Sequence, residues 1–297
     1  MESIIEILAR ELDCWGQYVE NIIKLLDEGN TVPFIARYRK ELHGGMDDQR
    51  IRTLADRLAY LRNLQARREE VKGAIENQGK LTGELAAAID AAATLAEVED
   101  LYRPYRQKRR TRATMAKEKG LEPLALLLFA QEKDCPDPLA EAARYVDPEK
   151  GVDTAEAALQ GASDIVAELV SDDADLRKAL RALYWRKARL VSAAAAKEPE
   201  DTVYRLYYDF SAPLSRVQGH QVLAINRGER EEILKVSVDM DREEALVSVR
   251  RAVVKPGSAA MDFVKGAAED AYDRLIAPSL EREIRSDLTE RADEGAI

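Results

Sequence analysis

The chain has 297 residues, 46% of them hydrophobic, enough to bury a sizeable core in two domains or one large elongated one, so it is not a disordered segment. Charged residues reach 34% against 6% aromatics and 15 glycines, which favours helix over sheet, because strands draw on β-branched and aromatic residues. The net charge is −10, so any affinity for a polyanion has to come from a local concentration of basic residues.

Cys14 and Cys135 are far apart and form no metal-type spacing, and nothing else suggests a disulfide framework. The opening MESIIEILAREL places Glu2 and Glu6 where a signal peptide carries basic residues. No apolar run approaches the roughly 20 residues needed to span a bilayer. A soluble protein of a reducing cytoplasm is expected, with no membrane partner.

In chain order, Ile4, Ile5, Leu8, Leu12 and Trp15 predict a first helix, and Val19, Ile22, Ile23 and Leu26 a second that Gly29 closes. Thr31 and Pro33 then suit the start of a short helix, with Phe34, Ile35 and Tyr38 inward and Arg37 and Lys40 outward. Aromatic rings packed so closely read as an anchored structural corner rather than a ligand contact. After Gly44 and Gly45, Asp47 or Asp48 caps a long helix to about Asn77. Its stripe of Ile51, Leu54, Leu58 and Leu61 steps like a coiled-coil seam and continues through Leu64, Val71 and Ile75 to Gly79, as a strut between subdomains would. Thr82 with Leu85 and Ile89, and Thr94 with Leu95, Val98 and Leu101, predict two short helices.

The second of these delivers the most unusual stretch. Residues 101–120 carry eight basic side chains against the single acid Glu118, a net of +7 that leaves −17 for the rest of the chain. Tyr102 and Tyr105 are interleaved with them. Pro104 interrupts the helix, so Arg106 to Arg112 reads as a loop or turn, followed by a helix from near Thr111 to Gly120. Helix, basic turn and helix together resemble a helix-turn-helix unit, a common shape from which DNA-binding motifs are made. Arg103, Arg106, Lys108, Arg109, Arg110 and Arg112 are therefore the candidate nucleic-acid contacts. A competing reading sets the same cations against residues 121–180, where fourteen acids face five bases. They would then clamp the fold through ion pairs contributing about 0 to 1 kcal/mol each at a surface. The two readings are compatible if only part of the strip is covered.

Farther on, Ala155, Leu159, Ala162, Val166 and Leu169 mark one helix, and Ser171 to Asp175 caps another through Leu176, Leu180, Leu183, Tyr184 and Val191. Pro199 is a boundary. Leu234, Val236, Val238 and Met240 alternate with polar residues as in a half-buried strand, with Val222 to Asn226 either its partner or helical. Asp241 with Glu244 reads as a capping box for a helix to Val254. A helix over 258–276 is followed, past Pro278, by a last one along Leu280, Ile284, Leu288 and Ala292.

The basic stretch EDLYRPYRQKRRTRATMAKEKGLEPLA also carries a resemblance. Together with TVPFIARYRKELHGG from Thr31, HQVLAINRGEREEILKVSV from His220 and DAYDRLIAPSLEREIRSDLTERADEGAI from Asp270, it is similar, in the same order, to the Tex family. These are bacterial transcription accessory proteins related to a eukaryotic transcription elongation factor. Gln107 and His43 depart from the motifs as single surface-type changes, and the match covers the whole chain. The larger departure is length. The family pattern continues past the equivalent of Ile297 into an RNase H-like (YqgF) domain, helix-hairpin-helix elements and an OB-type RNA-binding domain. The resemblance thus implies an N-terminal region whose partners include those absent C-terminal domains. The helix from Glu281 to Ala292 is expected to be only partly buried, since its apolar stripe leads toward them.

Reaction chemistry is hard to place. His43 and His220 each stand beside a glycine in a polar segment, without a Cys-His or HExxH partner, and suit loop or capping roles. GAIENQGKL from Gly73 spaces its glycines one residue too far for a phosphate loop and follows Lys80 with Leu81 where Ser or Thr is needed. The acid pairs Asp172-Asp173 and Glu243-Glu244 sit at helix starts, where they complement the helix dipole.

The expectation is a mainly α, multihelical protein of helical hairpins and a helix-turn-helix-like unit around a long connecting helix, with a small β element near 233–240. It divides as 1–198, with subdomains of about 1–78 and 79–198, and a mixed helical segment 199–297. The resemblance implies a non-enzymatic, nucleic-acid-associated transcription accessory role, with weak, non-specific contact to RNA or DNA and no metal or cofactor. The rival is an interaction module docking on RNA polymerase or other transcription machinery. A nuclease finds no support, because the carboxylates for two metals are not in evidence.

Overall fold

Leucine and isoleucine at spacings of three and four residues set the architecture, and helices dominate the computed structural model, which describes residues 1–295. The chain divides into two compact units, Met1–Tyr105 and the residues from Arg106 onward.

In the first unit, α1 (Ile4–Glu11) opens on a capping box: the Ser3 hydroxyl accepts the Glu6 amide at 3.1 Å and the Glu6 carboxylate accepts the Ser3 amide at 2.9 Å. It stops at Glu11, four residues before Trp15. Asp13, at φ 48°, turns the chain, and Trp15 becomes the N-cap of α2 (Gly16–Asp27), 75% exposed rather than part of the first helix. Two short helices follow, α3 (Val32–Tyr38) and α4 (Lys40–His43). The spine is α5 (Asp48–Asn77), capped by Asp47, which accepts the Arg50 amide at 2.8 Å. Its whole predicted stripe from Ile51 to Ile75 is buried, against α1, α2, α3, α6 (Gly83–Ala91) and α7 (Leu95–Tyr102). Thr82 and Thr94 cap the last two, as their sequences indicate.

The second unit is built on α11 (Ala155–Ser171), which buries Ala158, Ala162, Ile165, Val166 and Val170. Around it lie α8 (Arg112–Glu118), α9 (Glu122–Ala130) and α10 (Pro138–Ala142). Next comes α12 (Ala174–Lys187), capped by Asp173. The helix predicted through Val191 ends at Lys187, and Val191 lies instead on β1 (Arg189–Ala194). This strand is the centre of an antiparallel sheet, flanked by β2 (Asp209–Pro213) and β3 (Leu234–Asp239) in the order β2-β1-β3, with Val191 opposite Ser211 and Ser237. β3 is the strand its alternation predicts, and its partner is β1, because Val222 to Asn226 falls within α13 (Gly219–Arg230).

Asp241 caps α14 (Arg242–Val253) by accepting the Glu244 amide at 3.0 Å. The Glu244 carboxylate bonds Lys187, so the expected box is a one-sided cap. The chain then runs without a break through α15 (Met261–Asp270), a π-helical stretch Ala271–Ile276 and α16 (Ala277–Gly295). Pro278 does not separate two helices as predicted. It enters where the ladder is already in π register, with the Ala277 amide bonded to the Tyr272 carbonyl, so the missing donor falls at an existing irregularity. The stripe Leu280, Ile284, Leu288 and Ala292 is buried, not left open: α13 closes on it so tightly that a Cβ at Gly219 would stand 3.3 Å from the Ala292 Cα. Asn226 also hydrogen-bonds Thr289 at 2.9 Å.

Candidate nucleic-acid interface

The basic strip is divided by the two units. Arg103 belongs to the first, in a 3₁₀ turn, part-buried with its Nε enclosed and lacking a hydrogen-bond partner. Tyr102 and Tyr105 pack on the core of that unit. Arg67 lies over the Tyr102 ring at 5.4 Å, and the Tyr105 carbonyl accepts a bond from Gln78 at 2.7 Å. Neither tyrosine is an open stacking platform.

The rest of the strip is positioned by α8. Thr111 and Thr114 make its capping box, and Ala113 and Ala116 are its buried face. That face meets α11 closely because position 161 is glycine: a Cβ there would come within 2.3 Å of Leu121 Cδ1 and 3.4 Å of Ala116 Cβ. The approach brings Lys108 to the C-terminal turn of α11, where its ammonium stands 2.9 Å from Glu168 Oε1 and also bonds Asp172, the C-cap. A cation here meets two carboxylates and the negative end of a helix dipole. Lys108 thereby serves as an internal clamp, against acids of the 121–180 segment.

The neighbours turn the other way. Arg109, Arg110 and Arg112 are exposed, as are Lys117 and Lys119. The only salt-bridge partner of Arg110 among the described residues is Glu118, at a loose 3.8 Å with both side chains more than two-thirds exposed. Lys150 approaches Gly120, and the Lys119 side chain approaches Gly151, so a second run of chain adds a cation at the same end of α8. Arg106 is also exposed, although it is not free.

Sequence periodicity misplaces one further set of residues. Ile35 is buried as expected, but Phe34 and Tyr38 are 37% and 58% exposed. A seven-residue helix has one face to bury, and α3 gives it to Ile35, which lies roughly 100° round from the Phe34–Tyr38 pair. His43 is no loop residue: it ends α4, buried, with neither ring nitrogen hydrogen-bonded among the described residues. His220 is exposed in the first turn of α13. Among the described residues no three His, Cys, Asp or Glu side chains stand close enough to share a metal ion, and no helix is long and apolar enough to cross a membrane.

Two family models match the chain: the Tex-like protein N-terminal domain over residues 2–76 and the Tex central region over residues 133–297. Protein YdcI of Bacillus subtilis (strain 168) is 45% identical over 98% of the chain. Transcriptional accessory protein Tex of Neisseria gonorrhoeae is 37% identical over 99% of it, and S1 RNA-binding domain-containing protein 1 of Homo sapiens 29% identical over 99%. The chain spans only 41%, 39% and 31% of the lengths of these three proteins.

Proposed function

Because the chain belongs to the Tex family, we propose that it is part of a transcription accessory protein and associates with RNA or DNA through phosphate contacts, without a reaction of its own. The observation that carries this reading is the outward set Arg109, Arg110 and Arg112, held in place by the inward Lys108 and the capped start of α8. Cations on a short anchored loop meet phosphates at small entropic cost. Nothing at this loop offers base-edge readout, so the contact is sequence-independent. The names of the Neisseria and human relatives, one a transcriptional accessory protein and the other an S1 RNA-binding domain-containing protein, agree with the proposal.

A second reading, docking on transcription machinery with the strip as a clamp, is favoured at Lys108. Fluorescence anisotropy with a labelled duplex and a labelled single-stranded RNA, comparing the native chain with Arg109→Glu/Arg110→Glu, separates the two. Loss of binding with an unchanged denaturation midpoint supports phosphate contact; loss of folded protein supports the clamp.

A further inference from the structure

The exposed aromatic residues among those described are Trp15, Phe34 and Tyr38, all in the first unit. Phe34 and Tyr38 lie one turn apart on α3 with ring centroids 5.2 Å apart, Arg37 lies over the Tyr38 ring at 5.9 Å, and Arg39 over Phe34 at 5.8 Å. The two rings line an open groove of about 780 Å³, whose lining also includes Pro33, Ala36 and Met46. Trp15 stacks on Tyr18, whose ring packs so closely on Gly44 that a Cβ there would stand 2.5 Å from it.

The charges along this groove are unequally answered. Asp47 caps α5, and Asp48 reaches Arg52 at 3.4 Å. Arg37, Arg39 and Lys40 have no carboxylate partner among the described residues. Exposed rings beside unanswered guanidinium groups are the combination from which interface hot spots are made.

We propose that the α3 groove docks a short protein segment carrying acidic and apolar side chains. An apolar side chain fits between Phe34, Tyr38 and Met46, and a neighbouring carboxylate meets Arg37 or Lys40. A basic segment would face Arg37 and Lys40 on the groove, with Arg39 beside it over the Phe34 ring. A nucleic-acid strand is the poorer occupant. Asp47 and Asp48 line the same groove, and residues 1–105 carry 14 basic against 19 acidic residues, a net of −5 that repels a polyanion but tolerates one or two carboxylates at a local cationic patch. This surface is independent of the strip from Arg106 to Arg112.

The test is selection of a random peptide library displayed on phage against the whole chain, with Arg37→Glu/Tyr38→Ala as the counter-target and Phe34→Ala as a second variant. All three side chains are exposed, so folded variants are expected, checked by circular dichroism. The expected result is enrichment of sequences pairing Asp or Glu with Leu, Ile or Phe. A synthetic peptide of that sequence should bind at least about tenfold more weakly to each variant and bind Arg109→Glu/Arg110→Glu as it binds the native chain. The proposal is overturned if no sequence distinguishes the native chain from the variants or if the selected sequences are basic. It is equally overturned if a labelled oligouridylate binds the native chain and loses its affinity in the groove variants, which would make the groove a stacking platform for nucleic acid.

Discussion

Lys108 Nζ stands 2.9 Å from Glu168 Oε1, joining the loop before α8 to the last turn of α11 within a single unit. Lys108 is 24% exposed and Glu168 15%, so the pair is shielded from solvent more than most surface pairs. Replacing Lys108 by Met removes its ammonium from beside Glu168 and Asp172, and a loss of about 1–2 kcal/mol is expected, above the 0–1 kcal/mol of an exposed pair and below that of a fully buried one. Urea denaturation checks it. Glu168→Gln in the Lys108→Met background should cost less than in the native chain, a positive coupling that a double-mutant cycle reads directly.

The outward cations behave differently. With Arg109, Arg110 and Arg112 as the phosphate contacts, the log-log dependence of duplex affinity on salt should have a slope of about −2.7, from roughly −0.9 for each of three phosphates. Affinity should be in the non-specific range of about 10⁻⁴ to 10⁻⁶ M at physiological salt, because the remainder of the chain is acidic. Arg109→Glu/Arg110→Glu should weaken binding uniformly across sequences and flatten the slope. A slope unaltered by the substitution would place the contacts elsewhere.

The contrast between Lys108 and Arg109 also marks how far the sequence was legible. The stripe of α5 from Ile51 to Ile75, the caps at Asp47, Thr82, Thr94, Thr111 and Asp173, and the alternation of β3 are local signals, and each stands where periodicity or side-chain chemistry puts it. β1 was hidden because its inward residues are Leu190 and the polar Ser192, whose hydroxyl bonds the Tyr207 carbonyl at 2.7 Å, and because it runs into alanines that read as helix. Which cation of the strip turns inward depends on the close α8–α11 approach permitted by Gly161, a contact with Ala116 and Leu121 that lie far from it in the chain. The exposure of Phe34 and Tyr38 was missed because apolar rings at i and i+4 are ordinarily a core stripe.

Gly44 offers a test of the first unit. Its φ of 66° is left-handed, and a Cβ would meet three atoms of the Tyr18 ring at 2.5–2.8 Å. Left-handed backbone in a residue with a side chain costs roughly 1–2 kcal/mol, and displacing a packed ring about 1–3 kcal/mol more. Gly44→Ala should therefore destabilise the chain by at least about 2 kcal/mol, whereas Gly45→Ala, at φ 83° with no atom within 4 Å of its Cβ, carries the backbone cost alone. Comparative thermal melts decide it, and equal losses for the two variants would refute the ring contact.

The last expectation concerns two carboxylates with opposite linkage to pH. Hydrogen bonding to Arg242, at 2.9 and 2.8 Å, holds the Asp273 carboxyl below the ordinary carboxylate value. Its stabilising contribution is present above that value and is lost as pH falls through the lowered one. Asp287, on α16, is the reverse case. Burial pushes its carboxyl up, and the charges of Glu283 and Glu290 push it further, against the weaker pull of Arg291 and Arg181. The ionised form is thus disfavoured by the fold, a penalty absent in acid that grows as pH rises past the ordinary value of 3.8. Asp287→Asn should accordingly raise the thermal midpoint near neutrality, with the gain vanishing in acid, while Asp273→Asn lowers it at neutrality and matters little in acid. Midpoints for both variants followed from acid to neutral pH should diverge in opposite directions from that of the native chain; a neutral-pH loss in Asp287→Asn as large as that in Asp273→Asn would show that Asp287 has a stabilising partner and that burial does not govern it.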